Sequence, residues 1–136
     1  MSSFRIFDIA GSAMSAQSVR LNTVASNLAN VDAVSGNPDE VYKARVPVFE
    51  TAMQQLGHPE AAGVRVLGVV ESQAQAEMRY EPGHPLADEN GYVYAPNVNV
   101  VEEMVNMMSA ARTYQSNVEL MNTAKDLAMA TLRLGR

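Results

Sequence analysis

Two long stretches, one toward each end of the chain, carry apolar residues in alternating steps of three and four, the spacing of a helix that buries one face. In residues ~4–31 the stripe runs Phe7, Ala10, Met14, Gln17, Leu21, Val24, Leu28, Val31 and is broken only by Gln17. Phe7, Met14, Leu21 and Leu28 recur at every seventh position, which is a coiled-coil-like seam. The stretch contains no proline and a single glycine, Gly11.

Residues ~99–134 repeat the device through Val100, Met104, Met107, Ala111, Tyr114, Val118, Met121, Lys125, Ala128 and Leu132, with Lys125 the one polar member. Asn99 stands where an N-cap belongs, Glu102 takes the capping-box position, and Glu102 and Glu103 complement the positive end of the helix dipole. Arg133 and Arg136 suit the negative end, and Gly135 can stop the helix. At ~1.5 Å per residue the two helices are expected to be about 42 and 54 Å long.

All six prolines fall between these stretches. Val41–Val46, Val64–Val70 and Tyr92–Tyr94 are short β-branched or aromatic runs bounded by turn residues such as Pro82-Gly83-His84-Pro85 and Asp88-Glu89-Asn90-Gly91. They predict a small β-rich module of about four short strands. The fold class expected is therefore α+β. Residues 1–33 and 97–136 form a paired-helix assembly domain, and 34–96 form the module between them.

Charge follows the same division. Residues 1–31 carry +1, residues 32–98 carry ten acids against four bases, and residues 99–136 balance, giving −5 in all. Nearly neutral ends around an acidic middle do not attract a phosphate backbone, so no nucleic-acid partner is expected. Apolar residues make up 47% of the chain but aromatics only 6%, and the nine methionines suit helix packing and adaptable interfaces better than a ring-lined pocket. There are no cysteines, so disulfides and thiolate metal sites are excluded.

The opening Met1-Ser-Ser-Phe-Arg-Ile-Phe-Asp-Ile-Ala-Gly is not a secretory signal, because Arg5 and Asp8 interrupt its apolar stretch. No run approaches the ~20 apolar residues of a membrane span, so no membrane insertion is expected.

Catalytic patterns are missing. His58 and His84 each precede a proline in loop-like sequence, without the spacing of a metal site. There is no nucleophile elbow, phosphate-binding loop or dinucleotide fingerprint. Glu102 and Glu103 are adjacent on a helix and point about 100° apart, so they do not act as a carboxylate pair. Met104, Met107 and Met121, with Met108 and Met129 nearby, suggest copper-binding thioethers less readily than packing. No enzyme activity and no cofactor are expected.

A lone hairpin of two such helices buries at most one stripe of each, so neighbouring chains are needed to cover the rest. One reading is a self-assembling subunit. A second is a soluble adaptor whose helices dimerise while the acidic module binds a partner protein. A third, a hydrolase working through Asp32, His58 or His84, lacks any supporting pattern.

At this point particular residues stop being generic. Ala25-Ser-Asn-Leu-Ala-Asn-Val-Asp-Ala33 resembles the box near the start of flagellar rod and hook proteins. Asn97-Val-Asn-Val-Val-Glu-Glu-Met-Val-Asn-Met-Met108 and Ala110-Ala-Arg-Thr-Tyr-Gln-Ser-Asn-Val118 resemble that family's C-terminal box. Tyr80–Asp88, Gly91–Val93 and Pro96–Asn99 are similar to its proximal-rod members. Ala33 departs from the threonine common at this point in the family.

The resemblance implies a structural subunit of the basal-body rod that crosses the periplasm, moved out of the cytoplasm by the flagellar type III export apparatus without a cleaved signal peptide. It would assemble with other copies of itself and with other rod and hook–basal-body proteins. On the N-terminal helix the implied interface takes Ala25, Asn27, Leu28, Ala29 and Asn30, with Met14 and Leu21 from the stripe. On the C-terminal helix it takes Glu103, Met104, Arg112, Tyr114, Asn117 and Val118, with Met107 and Met121. Ala25 and Ala29 would admit a close helix. Asn27 and Asn30 would either bond across the interface or cap their own backbone.

Overall fold

The computed structural model describes residues 3–53 and 62–135, with side chains from Arg5 onward; His58 and Arg136 lie outside the described residues. Helix α1 spans Ser3–Ala29 and helix α2 spans Val100–Leu134. Between them come β1 (Arg45–Met53), β2 (Ala62–Glu71), β3 (Glu77–Tyr80) and β4 (Tyr92–Ala95). The helices pack against each other antiparallel, so the α+β class and the helix pair are as the sequence predicts.

Both helix ends are held by the amides the sequence supplies. Asn99 is extended (φ −94°, ψ 110°), and its side-chain oxygen accepts from the Val101 and Glu102 N–H groups at 3.1 and 3.2 Å. That is an N-cap, worth about 1 kcal/mol. At the far end of α1, Asn30 Nδ2 donates to the Ser26 carbonyl at 2.8 Å, a second bond to the oxygen that accepts the Asn30 N–H at 3.2 Å. Gly135 closes α2 through its N–H to Thr131 at an ordinary negative φ, not in the left-handed conformation.

The four strands form two separate antiparallel ribbons, β1–β2 and β3–β4. The first strand differs from the expected Val41–Val46. It begins at Arg45 and continues through Pro47 to Met53. A two-stranded ribbon has a free edge along each strand, and there a proline costs no ladder hydrogen bond. Val41 and Ala44 are buried instead in an extended lead-in, where the Ala44 N–H donates to Asn97 Oδ1 at 2.7 Å. A register shift between Val48 and Phe49 bends β1–β2, and the ribbon lies along α1, with Ser12 Oγ accepting the Val64 N–H at 3.1 Å.

The small core sits under β4, where Val93 and Ala95 are fully buried and alternate with half-buried Tyr92 and Tyr94. Asp88 organises the turn before it, accepting from the Asn90 and Tyr92 N–H groups at 2.9 and 2.8 Å. Gly91 has φ 83°, and an added Cβ would lie 3.0 Å from the Tyr80 ring, so only glycine turns there without strain. Ser35 exchanges two backbone hydrogen bonds with Tyr94, pinning the loop after α1 to this ribbon.

Gly36 sits so close to the next loop that a Cβ would fall 2.5 Å from the Leu86 carbonyl oxygen. Gly36→Ala must therefore move backbone, and about 1–3 kcal/mol of stability is expected to go. The midpoint of urea unfolding should fall with the slope unchanged; an unmoved midpoint would show that the two loops give way freely.

Candidate assembly surface

The seam between the helices is lined by small and amide side chains. On α1, Ala10, Ala16, Thr23, Val24 and Asn27 are buried; on α2, Ala110 and Ala124 are buried. Glu103, Ala110, Asn117 and Ala124 lie seven apart and are all buried or half-buried, which defines the inward face of α2. Of the apolar stripe expected on α2, Met107, Ala111, Met121 and Ala128 are half-buried. Val100, Met104, Tyr114, Val118 and Leu132 point out. Larger side chains thus surround a narrow seam of small ones, which buries little area and lets the backbones approach.

The two helices differ sharply in what they leave exposed. Twelve large hydrophobic residues of α2 are exposed, from Val100 to Leu134, and none with a described side chain on α1. The cause is position: α1 is covered by α2 on one flank and by the β1–β2 ribbon on another. Exposed apolar side chains in this number on one helix mark an interaction element. A further exposed set lies on the ribbon, including Val46, Met53, Leu67 and Val70.

The polar seam residues are joined, not solvated. Asn27 is 1% exposed and uses its full hydrogen-bonding capacity. Its Nδ2 donates to the Arg45 carbonyl at 2.9 Å and to Glu103 Oε2 at 3.1 Å. Its Oδ1 accepts from the Arg45 N–H at 2.9 Å and from the Tyr42 hydroxyl at 2.8 Å. One side chain therefore ties the end of α1, the start of β1 and the first turn of α2. Arg20 Nη2 donates to Asn106 Oδ1 at 2.8 Å one step along the seam. Asn97 bridges the Ala44 N–H and the Ala74 carbonyl nearby.

The structure thus separates the site residues read from the sequence. Asn27 and Glu103 meet inside the chain, whereas Asn30 Nδ2 donates to the Ser26 carbonyl of α1 and Asn117 Nδ2 donates to the Thr113 carbonyl of its own helix. Met14, Leu21, Leu28, Met107 and Met121 are half-buried along the helix pair. Ala25, Ala29, Met104, Arg112, Tyr114 and Val118 are exposed. Sequence reasoning missed Tyr42, Arg20 and Asn106. Only their partners in space give them a role, and no local pattern announces it.

Among the described residues no group of three metal-ligating side chains stands together, and no helix is long and apolar enough to cross a membrane. The ion pairs of these residues, Arg65–Glu50 and Arg79–Glu77, are surface pairs of little energetic weight.

The comparisons with known proteins match both helical regions. Residues 7–36 match the family of flagella basal body rod proteins, and residues 89–134 match the C-terminal region described as flagellar basal body rod FlgEFG protein C-terminal. The flagellar basal-body rod protein FlgC of Salmonella typhimurium is 53% identical over 136 residues, covering all of both chains. FlgC of Escherichia coli O157:H7 is 54% identical over 138 residues, again over both full chains. FlgC of Buchnera aphidicola from Acyrthosiphon pisum is 39% identical over 134 residues and 98% of each chain. With both helical ends matched by rod-protein families and the whole length shared with FlgC proteins, the chain belongs to the flagellar basal-body rod protein family and is FlgC-like within it.

Proposed function

We propose that the chain is a structural, non-enzymatic subunit of the flagellar basal-body rod, the proximal part by its likeness to FlgC, and that it self-assembles through its terminal helices. The observation that carries this reading is the set of large apolar side chains that α2 leaves exposed after it has packed against α1. Helix α1, with Ala25 and Ala29 exposed, offers a low surface against which a neighbour's helix can lie closely. Asn27 and Glu103 contribute by holding the two helices in register.

The chain leaves the cytoplasm through the flagellar export apparatus and joins other rod and hook–basal-body components in the periplasm. Ten acids against four bases in residues 32–98 repel close copies, whereas the helices pack at little electrostatic cost. The module of residues 34–96 therefore faces outward and the helices inward.

Basal bodies isolated from cells that make this chain in place of their own subunit test both statements. The chain is expected in the rod fraction, with density for α1 and α2 nearer the axis than β1–β4. Its absence from intact basal bodies would refute the subunit role; ribbons lining the lumen would refute the radial order alone.

A further inference from the structure

The two ends of the helix pair are unlike, and they complement each other. The Asn27–Glu103 bond sets the register of the antiparallel pair. Counting forward from Glu103 by the distance that separates Asn27 from Ser3 reaches Leu127, where the C-terminal segment of α2, Leu127–Leu134, begins. In this segment Leu127, Met129, Leu132 and Leu134 are exposed, the last two 70% and 87%, and it carries Arg133. At the opposite end, where β1 leaves the helices, a groove of about 410 Å³ opens beside the first turn of α2. Val46, Pro47 and Phe49 give it an apolar wall, and Glu102 and Glu103 stand on its α2 side.

Arg20 and Arg45 also line this groove, but Arg20 is engaged with Asn106 and Arg45 lies over the Tyr42 ring, 5.6 Å from its centroid. Glu102 and Glu103 have no cationic partner among the described residues. An occupant of this groove needs aliphatic side chains and a positive charge beside them. The C-terminal segment of α2 has both.

We propose that the groove receives the C-terminal segment of α2 of a second copy, with Met129 and Leu132 against Val46, Pro47 and Phe49, and Arg133, on the same helix face at the i, i+3, i+4 spacing, facing Glu102. This inference rests on the reading of the helices as assembly elements, and adds which ends meet. The contact is head-to-tail: the patch used on one copy differs from the patch used on the next. Such contacts propagate into helical filaments instead of closing as a two-fold dimer. The charges already compensate their own helix dipoles, Glu102 and Glu103 at the positive end and Arg133 at the negative end, so joining the ends pairs them in addition.

The absence of native cysteines makes the test direct. Full-length Phe49→Cys and Leu132→Cys proteins, mixed at rising concentration and oxidised, are expected to give a disulfide-linked heterodimer. Glu102→Arg in the first protein should cut its yield several-fold, and Arg133→Glu in the second should restore it. Lack of this heterodimer, while Met104→Cys copies couple with one another, would overturn the head-to-tail contact and leave assembly through α2 standing. No coupling of either kind, with monomers at every concentration, would overturn both.

Discussion

Asn27→Ala is expected to destabilise the protein by about 2–4 kcal/mol, because it orphans two backbone groups of Arg45 and removes a partner from Glu103 and Tyr42 together. The loss exceeds that of an ordinary surface amide since Asn27 is 1% exposed and the groups it serves belong to three separate elements. Asn27→Asp tests the donors specifically. The carboxylate keeps the acceptor toward Arg45 and Tyr42 but has no N–H for the Arg45 carbonyl, and sets a second negative charge against Glu103. It should be at least as damaging as alanine. Urea unfolding measures both variants; a shift worth less than about 1 kcal/mol in each would show that water substitutes freely in this joint. Tyr42→Phe, which removes the hydroxyl's bonds to Asn27 and Ser26 and keeps the ring under Arg45, should cost about 1–2 kcal/mol.

Val118→Asp is expected to abolish incorporation into the rod while leaving export and monomer stability close to normal. Val118 is 37% exposed and stands beside the inward residues Asn117 and Met121, so in the separate chain the new carboxylate stays hydrated. Burying it unpaired against a neighbour costs about 3 kcal/mol or more, over a hundredfold in affinity at each contact. Leu28→Asp should also block incorporation, but Leu28 is half-buried near the Asn27 joint, so its loss mixes folding with assembly. Comparing secreted protein, rod-associated protein and swimming for each variant separates the effects. A swimming Val118→Asp strain would show that this part of α2 is not covered in the rod.

Both helices and their limits were legible in the sequence because each is long, free of proline and strongly periodic, and because Asn99 is a cap by chemistry alone. The turn around Asp88 and Gly91 was legible for the same reason, since its residues satisfy one another within a few positions. The first strand was placed too early, at Val41–Val46 instead of Arg45–Met53. Its apolar run could be buried either by pairing or by lying under another segment, and local preference does not distinguish these. Strand β3, Glu77–Tyr80, is exposed throughout and exists because β4 is there to pair with it.

The seam shows the same division more sharply. Heptad spacing established that α1 and α2 each have a face to bury, and composition established that small and flexible side chains would fill it. Spacing put the buried face of α2 along Val100, Met104, Met107 and on to Leu132, and only Met107, Ala111, Met121 and Ala128 of that stripe are half-buried. The choice fell to Asn27 and Glu103, whose bond across the pair turns Ala110 and Ala124 inward and Met104, Val118 and Leu132 outward. Bonds between residues 76 positions apart are tertiary facts. The sequence by itself thus determined that the chain is a helix pair around a small β region and which family's boxes it carries. Only the folded structure decided which side of α2 is left uncovered, because a buried amide admits far fewer arrangements than an apolar stripe does.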